Sequence, residues 1–171
     1  MKIAVIGTGY VGLPLAIGFS KYLKVIAYDN NSKRIKELTK GYDANKQHTK
    51  KQIKSKNLIF TNDLKKLSKL DVYIIAVPTP INSLNRPDVR MLKNSSAIVG
   101  GLMKKNSTIV YESTTFPGCT EDLCIPILEK VSKLKYNKDF FVAYSPERVN
   151  PGDKENILYN ITKIVGSNHK K

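Results

Sequence analysis

Cysteine and histidine are scarce in this sequence. Two of each occur in 171 residues, and His48 and His169 lie in segments remote from Cys119 and Cys124. A metal centre needs three or four such ligands converging, and a disulfide scaffold needs a denser set of cysteines. Neither is expected, and both thiols read as reduced, at least one of them on a helix. No apolar run nears the roughly 18 residues of a membrane span. No repeat, low-complexity tract or Pro/Gly-rich linker divides the chain, and it opens on a strand-like segment rather than on a leader peptide. These absences predict a single cytoplasmic domain. Acidic residues are also few, 14 against 29 Lys and Arg, for a formal charge of +15. A nucleic-acid surface would cluster that charge among aromatics. Here the lysines are spread along the chain, and the densest stretch, "KQHTKKQIKSK" at 46–56, holds no aromatic residue. Nucleic-acid binding is not expected; attraction for small anions such as nucleotides is.

What is present alternates. Residues 2–7, 24–29, 57–62, 71–78, 107–113 and 139–145 read as strands, with 162–167 as a seventh. Several are apolar on consecutive residues, as in parallel strands covered on both faces. Helical patterns occupy 12–22, 32–40, 88–104 and 120–134, and Leu64, Leu67 and Leu70 recur at helical spacing. Val89, Leu92, Ile98 and Leu102 are expected to face the core, and Thr120 to cap the helix that Glu121 and Asp122 begin. The stretch 41–56 is an irregular connection with room for a short helix. Strand–helix alternation with short links predicts an α/β fold, a doubly wound parallel sheet of Rossmann type in one domain over 1–171.

The first strand runs into "GTGYVG", residues 7–12. In a strand–turn–helix unit, Gly7 permits the sharp turn, Gly9 clears the approach of a pyrophosphate, and Gly12 lets helix and strand pack closely. The helix N-terminus then offers free N–H groups to phosphates. Asp29 ends the second strand, where a carboxylate accepts from ribose hydroxyls and repels a 2′-phosphate, so NAD is favoured over NADP. Arg34 can reach a phosphate or stack on adenine. The plainer alternative is a tight turn followed by a helix-capping aspartate.

Ligands of open α/β sheets gather at strand C-termini, where this chain carries "AVPTP" (76–80), "YESTTFPG" (111–118) and "YSPERVNPGD" (144–153). Together with "KIAVIGTGYVGLPLA" they resemble the N-terminal NAD domain of the UDP-glucose/GDP-mannose dehydrogenase family, from Met1 to about Gly166. The last two motifs look most like the branch acting on UDP-N-acetylhexosamines (the glucosamine, galactosamine or mannosamine sugars). The resemblance implies oxidation of the sugar C6 alcohol to a carboxylate, with two NAD reduced, for surface polysaccharides such as capsule and O-antigen. By position it implies that Gly7, Gly9, Tyr10, Val11 and Gly12 hold the pyrophosphate, Asp29 the adenosine ribose, and Arg34 the adenine end. Thr79 and Thr114 border the cofactor, and Thr114 also orders an active-site water. Glu147 serves thioester hydrolysis as base or water-positioning group, and Glu147, Arg148 and Asn150 contribute to the substrate site. UDP-glucose dehydrogenases carry a second glutamate four residues on, where this sequence has Pro151, which favours the acetamido-sugar branch.

The family's nucleophilic cysteine lies in a Gly-Gly-x-Cys-Phe-x-Lys-Asp segment that this sequence does not contain; Cys119 precedes Thr-Glu-Asp and Cys124 precedes Ile-Pro-Ile. The resemblance therefore implies an NAD-binding chain with no turnover by itself. It also implies homodimeric full-length members, joined largely through a central helix not found here. The alternatives are the cofactor domain of another dehydrogenase and a stand-alone dinucleotide-binding module.

Overall fold

The parity of β1 (Lys2–Ile6) sets the architecture. Ile3 and Val5 join one buried cluster and Ala4 and Ile6 join another, so both faces of the strand are covered. A computed structural model describes residues 1–147 and 162–169. In it, β1 pairs in parallel with β2 (Lys24–Tyr28) on one side and β4 (Val72–Ile75) on the other, with Val5 opposite Ala27 and Ile74. With β3 (Leu58–Thr61), β5 (Thr108–Tyr111), β6 (Phe141–Tyr144) and β7 (Gly166–Ser167), the described strands form one sheet in the order β3-β2-β1-β4-β5-β6-β7. The doubly wound parallel sheet expected from the alternation is present. Strand seven departs from it: β7 is two residues long and antiparallel to β6.

One face carries α1 (Gly12–Ser20), α2 (Ser32–Lys40) and the single-turn α3 (Lys50–Ile53). Leu13, Ala16 and Ile17 of α1, Leu38 of α2 and Ile53 of α3 close over Ile3, Val5, Val25 and Ile74. The opposite face carries α4 (Arg90–Leu102) and α5 (Ile125–Ser132), whose Leu92, Val99 and Leu128 pack on Tyr73, Ile75, Ile109 and Tyr111.

Local expectations fail where tertiary packing or turn chemistry overrides spacing. Leu64, Leu67 and Leu70 do not share one α-helix. Only a 3₁₀ turn, Leu64–Leu67, forms, with Asp63 accepting from the Lys65 amide at 2.9 Å. Leu67 and Leu70 are buried while Leu64 is exposed. In α4 it is Val99, not Ile98, that reaches the bottom of the core. Thr120 is no cap: it lies inside a π-helical turn, Thr120–Cys124, that runs into α5, and the preceding Cys119 makes no side-chain capping bond. Thr120 and Cys124 are turned inward there, where an exposed cap would point to water.

Tyr73 stitches the β4 side of the core to its flanking turns. Its buried hydroxyl accepts from the Leu70 amide at 3.0 Å and faces the carbonyls of Leu67 at 2.8 Å and Leu102 at 3.1 Å. Tyr73→Phe leaves these backbone groups without their partner, which costs on the order of 2 kcal/mol. Urea denaturation is expected to show that loss as a lowered midpoint at unchanged slope.

Candidate functional site

The glycine turn is built around Thr8, which is fully buried. Its backbone N–H and its hydroxyl both donate to Asp29 Oδ2, at 2.9 and 2.8 Å, and its carbonyl accepts from Arg34 Nε and Nη2, at 3.2 and 2.9 Å. The turn is thus fastened to the end of β2 and to the first turn of α2. Asn31 starts that helix: its side chain accepts from the amides of Lys33 and Arg34, at 3.0 and 3.1 Å. The cap is therefore Asn31 and not Asp29, whose Oδ1 accepts only from the Asn31 amide among the described residues. A carboxylate has about four acceptor positions, so Asp29 keeps capacity for a further donor beside the turn.

The three glycines differ in what surrounds them. Gly7 has φ +94°, and a Cβ there would lie 2.5 Å from the Ala76 carbonyl oxygen. At Gly12 a Cβ would meet the Gly7 carbonyl oxygen at 1.9 Å and the Ala76 Cβ at 3.3 Å. These two let the turn close upon itself and against the end of β4. At Gly9, by contrast, a Cβ would meet nothing within 4 Å. Open space over Gly9 adjoins the start of α1, which no side chain caps and whose first turn holds no acidic residue. Exposed backbone amides at such a start attract anions. Tyr10 is exposed and Val11 partly buried beside it.

The segments that follow β4 and β5 are tied to each other by hydrogen bonds. The Thr79 hydroxyl donates to the Thr114 carbonyl, and the Ser113 hydroxyl donates to the Val77 carbonyl at 2.6 Å. The two threonines singled out in the sequence are therefore in contact, Thr114 exposed and Thr79 half-buried. Glu147 follows β6 on the next strand, half-buried. Arg148 and Asn150 lie outside the described residues. Two residues before Thr114, Glu112 is 5% exposed and pairs with Lys163, which lies three residues before β7. Burial, the strongest influence, pushes the Glu112 carboxyl above its ordinary range; the Lys163 ammonium and Ser145 hydroxyl work against that, and charge on Glu147 adds to it.

Sequence reasoning passed over three of these participants. Glu112 sits inside a quoted motif as an acid between a strand and a loop, a readable signal. Its partner Lys163 is 51 residues away, and nothing in the spacing connects them. Asp43, which forms an ion pair with Arg34 at 2.8 Å, belongs to the connection read as irregular.

The two cysteines are buried and unbridged, and burial, as the main cause, pushes the Cys124 thiol up to about 11. No cluster of three or more His, Cys, Asp or Glu among the described residues could hold a metal ion. No helix among them is long and apolar enough to cross a membrane.

The NAD binding domain of the UDP-glucose/GDP-mannose dehydrogenase family matches residues 1–171. Over 166 residues the chain is 48% identical to a UDP-N-acetyl-D-glucosamine 6-dehydrogenase of Salmonella typhi, covering 96% of this chain and 39% of that protein. It is 50% identical to Protein CapL of Staphylococcus aureus, with the same coverage. Among solved structures, a UDP-D-ManNAc dehydrogenase from Pyrococcus horikoshii superposes with a TM-score of 0.89 at 33% identity, over 98% of this chain and 41% of that one. The chain spans about two fifths of the length of these relatives. With that match over its whole length, the chain belongs to the UDP-glucose/GDP-mannose dehydrogenase family, of which it carries the NAD-binding domain.

Proposed function

We propose that this chain holds NAD for a UDP-N-acetylhexosamine 6-dehydrogenase, an oxidoreductase that converts the sugar C6 alcohol to a carboxylate. The observation that carries the reading is the pairing of a locked glycine turn with open space over Gly9 and a free-ended α1 beside Asp29. The residues present fit the cofactor. Backbone amides from Gly9 to Gly12 would receive the pyrophosphate, with Tyr10 and Val11 flanking it. Asp29 would accept from the adenosine ribose through its remaining lone pairs. Because the N–H edges of Arg34 are engaged by Thr8 and Asp43, its planar face is what remains to lie against adenine. Thr79 and Thr114 would border the nicotinamide end.

When bound, NAD accepts hydride from C6 in each of two oxidations. This chain's part is to orient the cofactor and, in the hydrolytic step, to aim water. Glu147 would take a proton from that water, with the Thr114 hydroxyl fixing its position. Arg148 and Asn150 would contact the UDP-sugar. The nucleophile is assigned to a cysteine outside this sequence, a reading supported by Cys119 and Cys124: both are buried, and Cys124 is held as a thiol. Relatives from Salmonella typhi and Pseudomonas aeruginosa, 48% and 46% identical, are named UDP-N-acetyl-D-glucosamine 6-dehydrogenases, which supports the acetamido-sugar substrate class.

Calorimetry on the chain tests the first half. It is expected to bind NAD, and Asp29→Ala is expected to weaken binding by about tenfold or more. No heat of binding at saturating NAD would overturn the reading. The second half is tested with UDP-N-acetylglucosamine and NAD: the chain alone should yield no NADH, whereas a polypeptide that joins it to the cysteine segment should yield two per sugar.

A further inference from the structure

Arg34 is a cation beside the adenosine end of a site that prefers an unphosphorylated ribose, and the structure gives the reason it does not reverse that preference. A guanidinium has five N–H donors in one plane. Nε and Nη2 converge on the Thr8 carbonyl, and Nη1 meets Asp43 Oδ1 at 2.8 Å. The Asp43 side chain is completely buried and accepts backbone amides as well, from Asn45 at 3.1 Å, Gln47 at 3.0 Å and His48 at 3.2 Å. Burial works against its charge, yet the Arg34 guanidinium and the amides of Asn45 and Gln47 hold its carboxyl below the ordinary range. Asp43 is therefore a fixed anion that cannot follow Arg34 outward.

We propose that Asp43 is a cofactor-specificity residue, which by holding the Arg34 guanidinium against the glycine turn denies it to the 2′-phosphate of NADP. A 2′-phosphate is recognised by in-plane N–H donors carrying uncompensated charge. In this site the donors are turned inward and the charge is neutralised. Exclusion of NADP then has two parts: repulsion from Asp29, and sequestration of the nearby cation. The inference rests on the dinucleotide-binding reading above.

The test is the ratio of NADP to NAD dissociation constants, measured by calorimetry on the chain and three variants. Wild type is expected to favour NAD by about 100-fold or more. Asp43→Asn frees the guanidinium, and the ratio is expected to fall by about tenfold, chiefly through tighter NADP binding. In an Arg34→Gln background the same substitution should leave the ratio unchanged, since no guanidinium is there to free. Arg34→Gln alone leaves the buried anchor in place and covers the case in which Asp43→Asn fails to fold. It should weaken both cofactors together and move the ratio by less than about twofold. Overturning results are an Asp43→Asn ratio equal to wild type, or a selective loss of NADP binding in Arg34→Gln. A wild-type chain that binds neither dinucleotide would instead remove the reading on which this one stands.

Discussion

Gly12→Ala is expected to disable the domain, while Gly9→Ala, three residues earlier in the same motif, is expected to leave its stability intact. The added Cβ at position 12 would sit 1.9 Å from the Gly7 carbonyl oxygen and 3.0 Å from its carbon. Both are backbone atoms, locked in turn by Ala76 and by the positive φ of Gly7. The turn must open or α1 must pull away from it, and Leu13, Ala16 and Ile17 would lose packing on β1. Overpacking and lost burial together cost on the order of 3 kcal/mol or more. At position 9 the Cβ enters open space and the backbone is not in the left-handed region. Thermal unfolding should therefore shift by less than about 2 °C, a change of about 0.5–1 kcal/mol at most for a domain of this size. NAD binding is a different matter. A methyl in the approach to the backbone amides should weaken it by about 100-fold. Melting curves and calorimetry on the two variants check the pair. Equal stability losses at both positions, with unchanged NAD binding at position 9, would reduce the motif to a structural turn.

The second large effect is expected at Lys163. Replacing it by Met strips the counter-charge from Glu112, whose side chain is 7% exposed where that of Lys163 is 18%. Breaking a buried pair from one side costs on the order of 3 kcal/mol. Its sign with pH follows from the direction of the Glu112 shift. Burial already raises that carboxyl above its unfolded value of 4.5, and Lys163 is among the influences restraining the rise. The folded state thus keeps the proton to higher pH than the unfolded chain does, so stability is fullest below 4.5 and declines as pH climbs through the folded pKa. Without Lys163 the decline reaches to higher pH and grows deeper. Urea denaturation should find Lys163→Met much weaker than wild type at pH 8 and close to it near pH 4.5. Adding Glu112→Gln should flatten the dependence. A loss independent of pH would mean that only packing was removed.

The contrast between these two sites shows what a linear reading can reach. Gly7, Gly9, Gly12 and Asp29 lie within one β–α–β unit, and their roles follow from local geometry: a turn, a helix start and the next strand's end. The strands were legible for a similar reason, since apolar residues of both parities mark a layer covered on two faces. Glu112 and Lys163 meet across 51 residues of sequence, and the only strand near Lys163 among the described residues is the two-residue β7, a pairing that leaves almost no pattern. Asp43 reaches Arg34 from a connection without periodicity, where its role depends on which amides fold around it. Val99 replaces Ile98 at the core because it stands two turns from Leu92, on the face that Ser95 and Ser96 also bury. Thr120, Glu121 and Asp122 make a sound helix-start signal on composition, but the π-helical opening turns Thr120 inward and leaves the capping role unfilled.

Thr8 is gripped through its amide, its hydroxyl and its carbonyl before any ligand arrives. The receiving frame is finished when the chain folds, so capture of a dinucleotide calls for little rearrangement of the main chain. Association should then proceed at the pace of productive collisions, in a single kinetic phase, with hydrogen–deuterium exchange already slow in the free protein at Gly7 and Thr8, whose amides are bonded to the Tyr28 carbonyl and to Asp29.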